Sequence, residues 1–316
     1  MPGPSLQDAQ QIYSNAGLRT QYGVILPPGA RVAAFVRSTG LQSGDDAFLA
    51  TNLVPTLAQG LARVRPGLGD FVVCLPGHVE SVVDATTFSS ALVSGTKIIG
   101  VGKGSNQPLF NFTTAGARWV VGVTDVLIAG LHITTSGAVT NATGISVTAN
   151  DFAFLFNDVE LNTTLGSFSI FIGISGTASR FDVSGNVVRG PSVGTTGTAV
   201  QLSSSGSDGR VADNEMICSC SSANGIINVT GAGTGLKILR NVLSNISAAC
   251  VSAITLANVA ITGQCAYNSI GVLSTGASVS GTTGITIGAA VVMSFFQNFI
   301  TNDPLTSGKL LPTLDT

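Results

Sequence analysis

The sequence predicts an all-β fold, a right-handed parallel β-helix with coils of about 28 residues and one short capping helix near its N-terminal end. Three observations carry this reading. Charged residues make up only 9% of the chain while it holds 39 glycines, so the Lys/Glu/Arg surface of a helical protein is missing. The pattern apolar-x-x-Asn-x-apolar occurs six times, with its asparagines at Asn157, Asn186, Asn214, Asn241, Asn268 and Asn298. Short segments alternating apolar with small polar residues lie between these units, as at 144–147, 199–202, 253–256 and 284–287.

The elements follow in chain order. Residues 1–43 carry no repeat and include Pro27-Pro28-Gly29, and read as an arm that docks on another subunit. Leu49, Leu53, Leu57 and Leu61 recur every fourth residue, which predicts one amphipathic helix near 49–65. Pro66 and Gly67 end it. A helix there covers the open edge and core of a first coil. Residues 71–75 read as the first strand, followed by 96–101, 109–112 and 119–123. Repeating coils extend to residue 300, with Ala129 in the Asn position of a copy preceding Asn157. Residues 301–316 are left as a tail.

The spacing of the asparagines, 27 to 30 residues, fixes the geometry. Such a length at about 3.3 Å per residue closes a coil of roughly 90 Å, and coils stack at about 4.8 Å. Each coil needs its neighbours to bury its apolar face. Six equivalent asparagines point to architecture, since a ligand site needs one copy. They are expected to form a ladder of stacked amides at a corner that tolerates left-handed backbone.

Composition also limits function. The net charge is −2, with 14 Lys and Arg and no basic stripe, which excludes a nucleic-acid partner. No apolar run reaches the roughly 18 residues of a membrane span. Residues 1–30 lack the basic start and apolar core of a secretion signal, so cytoplasmic synthesis is expected. Cys74, Cys218, Cys220, Cys250 and Cys265 then read as buried thiols. Residues 241–302 contain no charged residue, which predicts that the C-terminal coils contact identical subunits.

Catalysis finds little support. Polysaccharide-cleaving β-helices need paired carboxylates, and the candidates are Asp151, Asp158, Glu160, Asp182, Asp208, Asp213 and Glu215. Asp158 and Glu215 fall in register two coils apart, with Val187 between them. Of the two histidines, His132 points outward from its strand. No nucleophile elbow or phosphate-loop spacing is present, and residues 100–104 read as a turn. The expectation is a protein without enzymatic activity, catalytic residues, metal or cofactor.

Some residues carry a family resemblance. They are Asp45-Asp46-Ala47-Phe48-Leu49-Ala50-Thr51, Gly69-Asp70-Phe71-Val72-Val73 and Leu75-Pro76-Gly77-His78-Val79-Glu80. Ile98-Ile99-Gly100-Val101-Gly102 and Pro108-Leu109-Phe110-Asn111-Phe112 follow in the same order. Over residues 44–160 the chain resembles bacteriophage virion proteins with pectate-lyase-like β-helices, while the later coils match by period only. The resemblance implies a capsid decoration (cement) protein, a homotrimer bound to the major capsid protein on the virion surface. A tailspike-like protein that binds or cleaves host polysaccharide is the alternative.

Overall fold

The structure, a computed structural model, describes residues 30–42, 47–136, 139, 143–161, 168–190, 198–203, 206–220, 225–247, 252–257, 260–272, 284–288, 291–302 and 311–312. The described strands form three sheets, which we number 1, 2 and 3, of eleven, ten and seven strands. A representative coil runs Thr143–Val147 in sheet 3, Phe152–Leu155 in sheet 1 and Asp158–Glu160 in sheet 2. The next coil repeats this with Ile170–Ile174, Asp182–Ser184 and Val187–Arg189. Each strand pairs in parallel with its counterpart one coil away. The chain is thus an all-β parallel solenoid.

The sequence motif spans two strands and the bend between them. Its first apolar position is a column inside sheet 1, Phe154–Val183–Val211–Ile238–Cys265–Phe295. Its second is a column inside sheet 2, Val159–Val188–Met216–Leu243–Ile270–Ile300. Ile145, Ile172, Val200, Ile227, Ile254 and Ile285 stack in sheet 3. All but the last-coil members, Phe295, Ile300 and Ile285, are buried. Burying one such side chain stabilises the fold by about 1.5–3 kcal/mol, and stacking repeats that gain coil after coil.

The N-terminal end departs from the expected single helix. Two short helices, α1 (Ala47–Asn52) and α2 (Leu57–Leu61), flank the strand Leu53–Val54. Pro55 disfavours helical backbone at the residue before it and has no N–H to donate. Leu53 and Val54 instead pair with Phe35 and Val36 at the edge of sheet 1. Helix α2 starts at Thr56, whose hydroxyl accepts the Gln59 N–H. It packs closely on the first coils at Gly60, where a Cβ would stand 2.8 Å from Val72 Cγ1 and 3.0 Å from Val36 Cγ2. A third helix, α3 (Thr86–Ala91), had no sequence signal; it buries Phe88.

The arm also needs correction. Residues 30–42, placed in it by the sequence, contribute the fully buried strand Val32–Val36, which pairs with Phe71–Cys74. Residues 71–75 therefore hold the third strand, not the first. Val32–Val36 and Phe71–Cys74 are apolar without alternation because both faces of sheet 1 are covered here. Ala34, Val36, Val72 and Cys74 face the main core, while Val32, Phe35, Phe71 and Val73 join a smaller outer core with Leu49 of α1. Residues 1–29 lie outside the described residues. In the expected tail, Phe299–Asn302 is the last strand of the repeat, and Leu311–Pro312 pairs with it antiparallel.

Candidate functional site

At the bend from sheet 1 to sheet 2 the six asparagines form one buried column. The Asn186 Oδ1 accepts from the backbone N–H of Asn157 at 2.9 Å and from its Nδ2 at 3.1 Å. The Asn214 Oδ1 does the same for Asn186 at 3.0 and 2.9 Å, and Asn241 for Asn214 at 3.2 and 2.9 Å. Asn268 then serves Asn241, and Asn298 serves Asn268. Each Nδ2 also donates to a backbone carbonyl, such as that of Val183 for Asn214 at 2.9 Å. The side chains thus satisfy backbone groups that the tight bend removes from the sheet ladders.

Two details differ from expectation. The left-handed residue is not the asparagine but the one before it: Phe156, Asp213, Arg240, Tyr267 and Gln297, with φ between 49° and 59°, and Gly130 and Gly185 in the same column. The cost of about 1–2 kcal/mol per L-residue is offset by the hydrogen bonds the bend permits. Ala129 pairs with Leu155 inside sheet 1, and Leu131 holds the Asn place, its N–H donating to Asn157 Oδ1 at 3.0 Å. From Val126–Ala129 onward two bend residues separate the sheet 1 strand from the sheet 2 strand, which places the Asn position of that first copy at Leu131, two residues later than the sequence pattern suggests.

The candidate acids are mostly bound to cations on adjacent coils. Arg180 holds Asp151 at 2.6 Å, Arg189 holds Asp158 at 3.1 Å, and Arg210 holds Asp182 at 3.1 Å. Asp213 is gripped by Arg210 at 2.8 Å and Arg240 at 2.6 Å. The Arg180 and Arg240 guanidinium hydrogen bonds keep the Asp151 and Asp213 carboxyls below their ordinary range. Glu160, Asp208 and Glu215 occupy three different columns, so no two of them face one another. The register places Val187 between Asp158 and Glu215.

His132, on the outer face of sheet 2, has its Nε2 3.9 Å from Glu160 Oε2. Beside it on the same face lie Asp158 and Arg189. This is the one group of described residues where a histidine, two acids and an arginine share a face.

At the N-terminal end His78 and Glu80, which the sequence suggests as shaping the turn after its expected first strand, form a polar clamp. The His78 Nδ1 accepts the Ser38 N–H at 3.0 Å, so the ring proton sits on Nε2, 3.0 Å from Glu80 Oε2. The same oxygen accepts the Leu57 N–H at 2.8 Å. The Pro-Gly-His-x-Glu segment therefore ties the first strand, its own coil and α2 together. Asp70, fully buried, accepts from Arg65 Nε at 2.8 Å, Arg65 Nη2 at 2.7 Å and the backbone N–H of Arg31 at 3.2 Å. Burial pushes its carboxyl up, but the bonds from Arg65 and Arg31 outweigh this and hold it below its ordinary value.

The C-terminal coils contrast with this. Val242, Tyr267, Ile287, Val292 and Phe299 are exposed, Val292 by 71%. Tyr267 and Phe296 pack edge to face at 5.1 Å on this surface. Cys74, Cys218, Cys220 and Cys265 are buried free thiols, and Cys250 lies outside the described residues. Among the described residues no three His, Cys, Asp or Glu side chains are placed to hold a metal ion, and no helix is long and apolar enough to cross a membrane. No protein-family model, no curated protein and no solved structure matches this chain.

Proposed function

We propose that the protein is a non-enzymatic structural component of a bacteriophage particle, a homotrimeric decoration protein that binds the major capsid protein and stabilises the head. The observation that carries the reading is the surface of the C-terminal coils. Residues 241–302 contain no charge, yet they present Val242, Tyr267, Ile287, Val292 and Phe299 to solvent. An apolar, uncharged surface of this kind favours association and is seldom left bare on a monomer. The virion setting rests on the resemblance of residues 44–160 to phage virion proteins.

Two measurements test it. Light scattering should give three chain masses for the native protein and one for Phe299→Glu combined with Val292→Lys. A monomeric native protein removes the trimer from the proposal. Electron microscopy of purified particles with a labelled antibody should place the chain on the head, and its absence there overturns the virion role.

A second reading is favoured by the His132, Asp158, Glu160 and Arg189 group on sheet 2. This reading is a tailspike-like protein acting on host polysaccharide. Asp158 is held by Arg189, and the remaining free acid, Glu160, has no carboxylate across from it. Two carboxylates at a defined separation are what glycoside hydrolysis requires. We expect no cleavage of a host polysaccharide panel; cleavage lost in Glu160→Gln would replace the first reading with the second.

A further inference from the structure

We infer that a cleft beside α2 and α3 is a receptor for a lysine side chain of a docked protein partner. The cleft has a volume of about 50 Å³. Leu57, Phe88, Phe110 and Trp119 line it, together with two acids, Glu80 and Asp84. Phe88 stacks on Trp119 at 4.9 Å and Phe110 meets the same ring edge-on at 5.3 Å, so the aromatic lining is rigid.

Charge selects the occupant. Asp70, Asp125, Asp151, Asp158, Asp182 and Asp213 each have a lysine or arginine partner. Among the described residues Glu80, Asp84, Glu160, Asp208 and Glu215 have no such ion pair, and of these Glu80 and Asp84 line the cleft. His78 Nε2 lies 3.0 Å from Glu80 Oε2, and its Nδ1 accepts the Ser38 N–H. Asp84 stays ionised: the Thr87 backbone N–H, its hydroxyl and Thr86 hold its carboxyl below the ordinary range. Two carboxylates without a lysine or arginine ion pair on an apolar cleft fit a cation carried on an alkyl stem.

Shape favours lysine over arginine. The volume holds roughly three to five water-sized groups, the scale of a straight four-carbon stem. An arginine fork needs both oxygens of one carboxylate. Glu80 Oε2 is already taken by His78 Nε2 and the Leu57 N–H, which leaves a single oxygen for a point-like ammonium. The inference rests on the reading that this protein docks on another protein, and it names the chemistry of that contact.

Trp119 is the only tryptophan in the chain, so its fluorescence reports on the cleft. The probe is n-butylammonium chloride, titrated against the full chain at pH 7 with n-butanol and tetramethylammonium as controls. A saturable change in Trp119 emission is expected for n-butylammonium and for neither control. Asp84→Asn and Glu80→Gln should each weaken binding at least tenfold while circular dichroism stays native. No saturable change, equal binding of n-butanol, or unaltered binding in both charge variants overturns the inference. Should neither charge variant fold, Ala58→Phe, which enlarges a lining residue, decides: retained binding overturns the inference and lost binding supports it. The titration involves neither capsid nor oligomer, so its failure leaves the structural reading standing, and a monomeric chain or a bare head leaves the cleft result standing.

Discussion

At the N-terminal end, α2 and α3 bury Leu57, Leu61 and Phe88 over the first coils, and buried Asp70 and half-buried Glu80 tie the pieces together. At the other end, Ile285, Val291, Met293, Phe295 and Ile300 of the last coils stay only partly covered, within a stretch, 241–302, that holds no charge. Both ends face the same difficulty, since a stack of coils always has a first and a last member with an unpaired edge. The chain closes the first with local elements that break the repeat. The last has no such helices among the described residues. Charge follows the same division: acids and their cations occupy the capped coils, and residues 241–302 hold none.

The comparison breaks most visibly at the capped end. Trp119→Ala removes a fully buried ring that Phe88, Phe110 and Phe112 contact, and should cost about 4 kcal/mol in urea denaturation. Met293→Ala in the last coil, already partly open, should cost less than half as much. Equal losses would mean that the two ends are packed alike.

The asparagine column sharpens the contrast within one motif. Asn214→Ala strands the Asn186 N–H and the Val183 carbonyl inside the stack and should cost about 2–3 kcal/mol. Asn298→Ala strands equivalent groups, the Asn268 N–H and the Cys265 carbonyl, but in the last coil, where water can replace the amide. Its cost should be about 1 kcal/mol. A reversed order, read by the same denaturation, contradicts the gradient of cover along the stack.

Acid should separate the regions further. Asp70, Asp151 and Asp213 have carboxyls held below their ordinary values in the folded protein. Their stabilisation is present in full above the unfolded pKa of about 3.9 and is lost as pH falls through the lower folded values. Amide exchange at pH 3 should therefore quicken first in the coils before residue 241, relative to neutral pH. Earlier loss of protection in residues 241–302, which hold no carboxylate side chain, would sink this assignment.

The smallest effect belongs to the exposed ion pairs. Arg180→Ala releases Asp151 on the surface and should change stability by less than about 1 kcal/mol. A loss above 2 kcal/mol would show that the cross-coil pairs carry the stack, a task we assign to the core columns and the asparagines.

By itself the sequence determined the all-β parallel solenoid, its period and the alignment of Asn157, Asn186, Asn214, Asn241, Asn268 and Asn298. A repeat records the same local demand many times, so each copy reinforces the signal. It also exposed the uncharged stretch 241–302, because absence of charge needs no coordinates to be seen. Tertiary structure alone decided the events that occur once. Pro55 splitting the helix, Val32–Val36 entering sheet 1 and Phe88 finding Trp119 depend on neighbours far along the chain. The same holds for the register of Leu131 against Asn157, for the arginines that hold the acids, and for His78 and Glu80 meeting Ser38 and Leu57. Such contacts are set by which coil stacks on which, and residue order leaves no periodic trace of a contact made only once.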